Sequence, residues 1–206
     1  AGECLADTGF TFLFAPHYHP AMKEVAPVRR ALGVRTVFNL LGPLTNPAEP
    51  PFSLIGAYSA EAARLMADTL SGMPIQRAFV IHGEPGWDEA TPVGPFELYD
   101  VQPGRVTREV RDPLDLGIQR CTAAELAGGD AERNAAELRA VFEGRDQGPH
   151  CDAVVLTAAL ALEVTGAVAS PGAGVVAALE TIRGGDAARL LDRLAAFGRR
   201  PRQDSP

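Results

Sequence analysis

The sequence predicts an α/β fold: a mostly parallel sheet flanked by helices. Three features carry that expectation. Strand-like and helix-like runs alternate after Pro51, Ala78-Phe79-Val80-Ile81 has the unbroken apolar character of a buried parallel strand, and a hairpin signal follows it.

Taken in order, residues up to about Thr8 read as the end of a helix capped by Gly9, and Phe10 to Ala15 as a short apolar run. His19 to Leu32 is a helical stretch opened by Pro20, kinked by Pro27 and closed by Gly33. Arg35 to Leu41 suggests a second short helix, ending in the turn-rich Gly42-Pro43-Leu44-Thr45-Asn46-Pro47. Phe52 to Tyr58 is expected as a strand, Ala60 to Ser71 as an amphipathic helix, and Arg77 to His82 as the buried strand. Glu97 to Val101 and Arg105 to Val110, separated by Gln102-Pro103-Gly104, form the hairpin. Helices are expected over Asp130 to Glu143, Cys151 to Val164, Gly174 to Ile182 and Asp186 to Phe197, before a polar tail over 199–206 expected to be disordered. The expected division is a start or linker over 1–18, a helical hairpin over 19–46, and the α/β unit over 47–198.

Composition narrows the function. With 206 residues and 46% apolar content the chain can bury one substantial core. Its net charge of −7 and scattered arginines argue against a nucleic-acid footprint, which needs a basic face. No apolar run is long enough for a membrane span. Cys4, Cys121 and Cys151 are far apart and odd in number, which fits free thiols in a reducing cytoplasm. The first residues lack a signal-peptide pattern and suggest an excised or truncated piece.

Two places suggest chemistry. Asp88 and Glu89 follow the end of a buried strand, where ligands collect in open α/β sheets. Adjacent carboxylates after glycines suit Mg²⁺, which takes one or two carboxylates and shares its other positions with water and phosphate oxygens. A solvated acidic turn would have the same composition. On an ideal helix His19, Met22, Ala26, Arg29 and Arg30 share one arc, and an arginine there suits a planar carboxylate. The Pro27 kink leaves Arg29 and Arg30 undistinguished, and a packing face is the plainer alternative. His82, at the strand end, suits acid–base work or simple packing, and Asp130 is expected to cap the helix after Gly128-Gly129. Neither a Walker loop nor a dinucleotide-binding glycine loop is present.

The run from Phe14-Ala15-Pro16-His17-Tyr18-His19-Pro20-Ala21-Met22-Lys23 through Val28-Arg29-Arg30-Ala31-Leu32-Gly33 to Leu40-Leu41-Gly42-Pro43-Leu44-Thr45-Asn46-Pro47 closely resembles the signature stretch of anthranilate phosphoribosyltransferases. Val80-Ile81-His82-Gly83, Asp88-Glu89, Gly128-Gly129-Asp130-Ala131 and Asn134-Ala135 resemble that family too, in the expected order.

The resemblance implies a nucleoside phosphorylase/phosphoribosyltransferase-like architecture, in which the helical hairpin belongs to a small α-helical domain largely absent here. It implies a cytoplasmic homodimeric enzyme of tryptophan biosynthesis that joins anthranilate to phosphoribosyl pyrophosphate with Mg²⁺. It places Arg29 on the anthranilate carboxylate, Ala15, Pro16, His19 and Met22 along the aromatic substrate's entry, and Asp88 and Glu89 on magnesium. The family's Gly-Thr-Gly-Gly-Asp loop and Lys-His-Gly-Asn stretch do not occur in the chain, so the chain alone is expected to hold the donor poorly. Pro85, Trp87 and Thr157 depart from the family's usual residues. A pyrimidine-nucleoside phosphorylase shares the architecture but should lack the Val28-Arg29-Arg30 piece. A nucleic-acid-binding relative predicts a basic groove, against the net charge.

Overall fold

The computed structural model describes residues 1–18 and 38–200. Helix α1 (Gly2–Thr8) ends at Gly9, whose φ of 78° lets its N–H turn back to the Leu5 carbonyl. A single turn, α2 (Ala15–Tyr18), follows. The helix expected over 19–32 and the start of the next one lie outside the described residues. Helix α3 (Phe38–Leu44) runs three residues past the expected end at Leu41, through Pro43. A proline in a last turn forfeits only one backbone bond, so the helix tolerates it there.

Strand β1 (Phe52–Gly56) leads to α4 (Ala60–Ser71), which Ser59 caps by accepting the Ala62 N–H at 3.2 Å. Strands β2 (Arg77–Gly83), β3 (Phe96–Gln102) and β4 (Arg105–Arg111) complete a sheet of order β1-β2-β3-β4. Helices α5 (Ala131–Phe142), α6 (Pro149–Val164), α7 (Pro171–Arg183) and α8 (Asp186–Gly198) follow, within a few residues of the expected bounds.

The α/β class and the flanking helices are as expected, but the strand directions are mixed. β1 and β2 pair in parallel, Phe52 opposite Arg77 through Gly56 opposite Ile81. β2–β3 and β3–β4 pair antiparallel. The reason lies in the connections: α4 supplies the crossover that parallel strands need, whereas β2 to β3 and β3 to β4 are joined without a helix.

β2 is buried on both faces, which explains its continuous apolar run. Ala78 and Val80 meet Ala63, Met66, Ala67 and Leu70 of α4. Phe79 and Ile81 meet Val155, Leu156, Ala159 and Leu160 of α6, with Val175 and Ala178 of α7 behind them. Each large side chain so buried contributes about 1.5–3 kcal/mol. β4 is an exposed edge carrying Arg105, Arg108 and Glu109, charges that discourage further strand pairing.

Ionic contacts fix α6 to the sheet. Arg77 grips Asp100 with two hydrogen bonds, 2.9 Å from Nε and 2.8 Å from Nη2, and donates to the Glu163 carbonyl at 3.1 Å. Arg111 grips the Glu163 carboxylate at 2.6 and 2.9 Å. Both guanidinium groups lie over the Phe79 ring, at 4.8 and 5.6 Å from its centroid. At the chain's ends, Arg193 donates to the Thr8 carbonyl and Arg200 pairs with Asp7, so α1 rests against α8. Arg199 and Arg200, the first residues of the expected disordered tail, both make hydrogen bonds; 201–206 lie outside the described residues.

Glu163→Ala should lower stability by about 2 kcal/mol in urea unfolding, because the largely buried Arg111 guanidinium loses a two-pronged carboxylate partner and keeps only Glu109. Asp152, in the first turn of α6, has its carboxyl held above the ordinary range by burial and secondarily by Asp146. A raised folded-state pKa favours the protonated form, so Asp152 contributes stability below its unfolded pKa and loses it as pH rises through the folded value. Asp152→Asn should therefore raise the thermal midpoint at neutral pH, and that gain should vanish in acid.

Candidate active site

Parallel β1 ends at Gly56, opposite Ile81, and β2 ends two residues farther on at Gly83; the loop from Glu84 to Pro95 rises from that end. It begins as a tight turn: Gly83 N–H donates to the Trp87 carbonyl at 2.9 Å, while the Gly86 and Trp87 N–H groups both donate to the Gly83 carbonyl at 2.9 Å. Gly86 sits at φ 113°, a region open to glycine and strained for other residues. The Glu84–Pro85 peptide is cis. Farther along, Glu84 N–H donates to the Pro95 carbonyl at 3.1 Å, closing the loop's base.

Asp88 and Glu89 follow this turn, with their side chains exposed and their main chain laid back over the strand ends. A Cβ built on Gly56 would stand 1.8 Å from the Asp88 carbonyl oxygen, and one on Gly83 would stand 2.0 Å from that of Glu89. Each neighbouring strand thus ends in a glycine because a main-chain carbonyl occupies the place of a side chain. Among the described residues, neither carboxylate has a salt-bridge partner.

His82, one residue before Gly83, is half-buried, and its Nδ1 lies 2.8 Å from the Ala57 carbonyl. A carbonyl oxygen only accepts, so Nδ1 carries the hydrogen and the ring ties the end of β2 to the end of β1. Its place is at the site's edge, where a hollow of about 450 Å³ is lined by His82, Glu84, Pro85 and Glu97. There the Arg108 guanidinium, donating to Glu97, holds that carboxyl below the ordinary range.

On the other side of the loop lies a cavity of about 490 Å³, lined by Trp87, Glu89, Thr91, Asn134, Glu137 and His150 among others. The rim residues Gly128 to Asn134 show why that spacing occurs. Asp130 caps α5 by accepting the Arg133 N–H at 2.8 Å, as expected. The Asn134 amide clasps Gly129 from both sides, accepting its N–H at 2.7 Å and donating to its carbonyl at 3.1 Å. A Cβ on Gly128 would come within 2.8 Å of the Asn134 Oδ1. These glycines and the asparagine are one structural clasp, legible in the sequence only as a motif. Of the departures, Trp87 forms a cavity wall, Pro85 sits exposed on the turn, and Thr157 is exposed on α6.

Of the expected substrate-side residues, His19, Met22 and Arg29 lie outside the described residues. Ala15 and Pro16 fall within α2. Of the expected site residues, Asp88 and Glu89 are the two found at this loop.

Residues 1–188 match the family model described as glycosyl transferase family, a/b domain. The chain belongs to that family. It is 43% identical over 199 residues to the anthranilate phosphoribosyltransferase of Desulforudis audaxviator, covering 97% of this chain and 57% of that protein. The corresponding protein of Chloroflexus aggregans is 42% identical over 198 residues, covering 96% of this chain and 58% of its own length. The chain thus spans somewhat over half the length of the curated relatives it matches. Among solved structures it is similar to anthranilate phosphoribosyltransferase from Thermus thermophilus, with TM-score 0.86 and 43% identity over 97% of this chain and 59% of that one. It is also similar to the Saccharomyces cerevisiae enzyme in complex with PRPP and Mg, with TM-score 0.82 and 27% identity over 93% of this chain and 55% of that one.

Asn134→Ala should cost about 1 kcal/mol through loss of the clasp. Faster amide hydrogen exchange should accompany it at Gly129, with α6 unaffected.

Proposed function

We propose that this chain forms the α/β part of an anthranilate phosphoribosyltransferase, which transfers the phosphoribosyl group of phosphoribosyl pyrophosphate to the amine of anthranilate and releases pyrophosphate. The observation that carries the reading is the placement of Asp88 and Glu89, side by side and exposed, beyond the carboxyl ends of two adjacent parallel strands. Relatives named for this activity support the substrates. A structure of the yeast enzyme carrying PRPP and Mg supports both the donor and the metal.

The acidic pair fits magnesium in its chemistry: hard oxygen donors, accessible, and few enough to leave positions for diphosphate oxygens and water. Among the described residues no group of three or more histidine, cysteine or acidic side chains is placed to hold a metal. A two-carboxylate site would therefore share its ion with the substrate. Bound there, magnesium would neutralise charge on the departing pyrophosphate. Asp88 and Glu89 would position that leaving group. Arg29 would receive the anthranilate carboxylate through its planar fork, and Ala15, Pro16, His19 and Met22 would line the ring's approach. Positioning and electrostatics supply most of such a rate, because the aromatic amine attacks a ribose with oxocarbenium character and needs no covalent intermediate on the protein.

The same reading makes the protein a cytoplasmic homodimer that pairs through the helical domain to which 19–46 would belong. The described residues contain no helix long and apolar enough to cross a membrane.

Loss of anthranilate fluorescence in the presence of the donor and Mg²⁺ tests the activity, with this chain and with a version extended at its N-terminus by the part of a relative that this chain does not match. Turnover is expected in the extended protein; none in either would overturn the reading. Asp88→Asn should lower turnover and raise the Mg²⁺ requirement by roughly tenfold, the loss of one charged ligand interaction of about 1.4 kcal/mol. Arg29→Ala should raise the KM for anthranilate at least about tenfold, as expected for a lost charge-assisted fork. An unchanged KM would remove Arg29 from the substrate carboxylate.

A further inference from the structure

Gly56 and Gly83 lie at corresponding ends of parallel neighbours, yet neither is at positive φ. Conformational freedom does not account for them. Space does: the carbonyls of two consecutive residues, Asp88 and Glu89, occupy the volumes their Cβ atoms would take, at 1.8 and 2.0 Å. A carbon–oxygen contact relaxes only near about 3.3 Å, so an added methyl must drive the Asp88 or Glu89 main chain outward by more than about 1 Å. The displaced atoms are backbone, which cannot swing aside as a flexible side chain would. His82 completes the arrangement by tying β1 to β2 beneath the loop, through Nδ1 and the Ala57 carbonyl at 2.8 Å.

We propose that Gly56 and Gly83 are positioning residues that seat the main chain of the acidic pair on the sheet, with His82 locking the two seats together. The proposal rests on the metal reading above for its consequence, but not for its geometry. With their carbonyls turned down into the seats, Asp88 and Glu89 have their carboxylates exposed on a fixed base. Magnesium tolerates little departure from octahedral geometry, so a carboxylate pair displaced by about 1 Å would lose its hold on the ion. The seats would then determine metal affinity without touching metal.

The test compares Gly56→Ala and Gly83→Ala with Gly174→Ala in this chain. Gly174 lies on α7, where an added Cβ would meet the Ala159 backbone of α6 at 2.8 Å, so it supplies a packing fault between two helices outside the loop. Two readouts are taken: amide hydrogen exchange at Gly86 and Trp87, whose N–H groups are held by Gly83, and Mn²⁺ binding followed by electron paramagnetic resonance. Both seat variants should exchange at least tenfold faster at those amides and bind Mn²⁺ at least fivefold more weakly. Gly174→Ala should lower the thermal midpoint and change neither. Unaltered exchange in Gly56→Ala or Gly83→Ala, or equal loosening in Gly174→Ala, would overturn the seat. If Asp88→Asn leaves Mn²⁺ binding unchanged, the metal reading fails, while the exchange data still decide the seat. Should either glycine variant show no cooperative unfolding transition, His82→Ala replaces it. That variant is expected to loosen the same amides and weaken Mn²⁺ binding, and unaltered exchange would again refute the proposal.

Discussion

Burial of β2 on both faces is the constraint from which the rest of the structure follows. Ala78 and Val80 pack beneath α4, and Phe79 and Ile81 beneath α6, so the strand has no solvated side and its position leaves little freedom. Its parallel partner β1 must then end beside it, and the loop that leaves β2 must rise at that shared end. Polar chemistry cannot be placed within such a strand without large desolvation costs. It appears where the strand stops, at His82 and, beyond the glycine, at Asp88 and Glu89.

Paired and unpaired charges are kept apart in the sheet. At the start of β2, Arg77 binds Asp100 and the Glu163 carbonyl, while Arg111 from the end of β4 binds the Glu163 carboxylate, with both cations lying on the Phe79 ring. Such charges are satisfied within the fold, and their function is to hold α6 against the sheet. The two carboxylates past the far end of β2 have no such partner among the described residues. That contrast separates an ion pair that supports the fold from an acidic pair without an ionic partner among the described residues.

Around the acidic pair the loop is shaped more by main chain than by side chains. The turn from Gly83 to Trp87 uses both polar groups of Gly83, and Asn134 holds Gly129 at the opposite rim. Small residues at Gly56, Gly83, Gly94 and Gly128 let these pieces approach; at Gly94 an added Cβ would meet the Glu84 side chain at 2.4 Å. Departures such as Pro85 and Trp87 fall on the turn's exposed outside and on a cavity wall, so they leave its hydrogen bonds in place.

Much of this was legible in the residues. Apolar periodicity marked α4 to its observed ends and β2 to within one residue, since burial on a helix face or a sheet leaves a period in the sequence. The caps at Gly9 and Asp130 were equally readable, being contacts between near neighbours in the chain. So was the acidic pair as a candidate, because its position past a buried strand is a local fact. The β3–β4 hairpin was readable from its turn, but tertiary structure alone decided the antiparallel β2–β3 pairing and the Arg77–Asp100 and Arg111–Glu163 grips, whose partners lie far apart along the chain. The role of Gly56 was likewise hidden: a glycine ending a strand signals a close approach, but the residue that approaches lies 32 positions later, from Gly56 to Asp88, and only three-dimensional packing brings its carbonyl there.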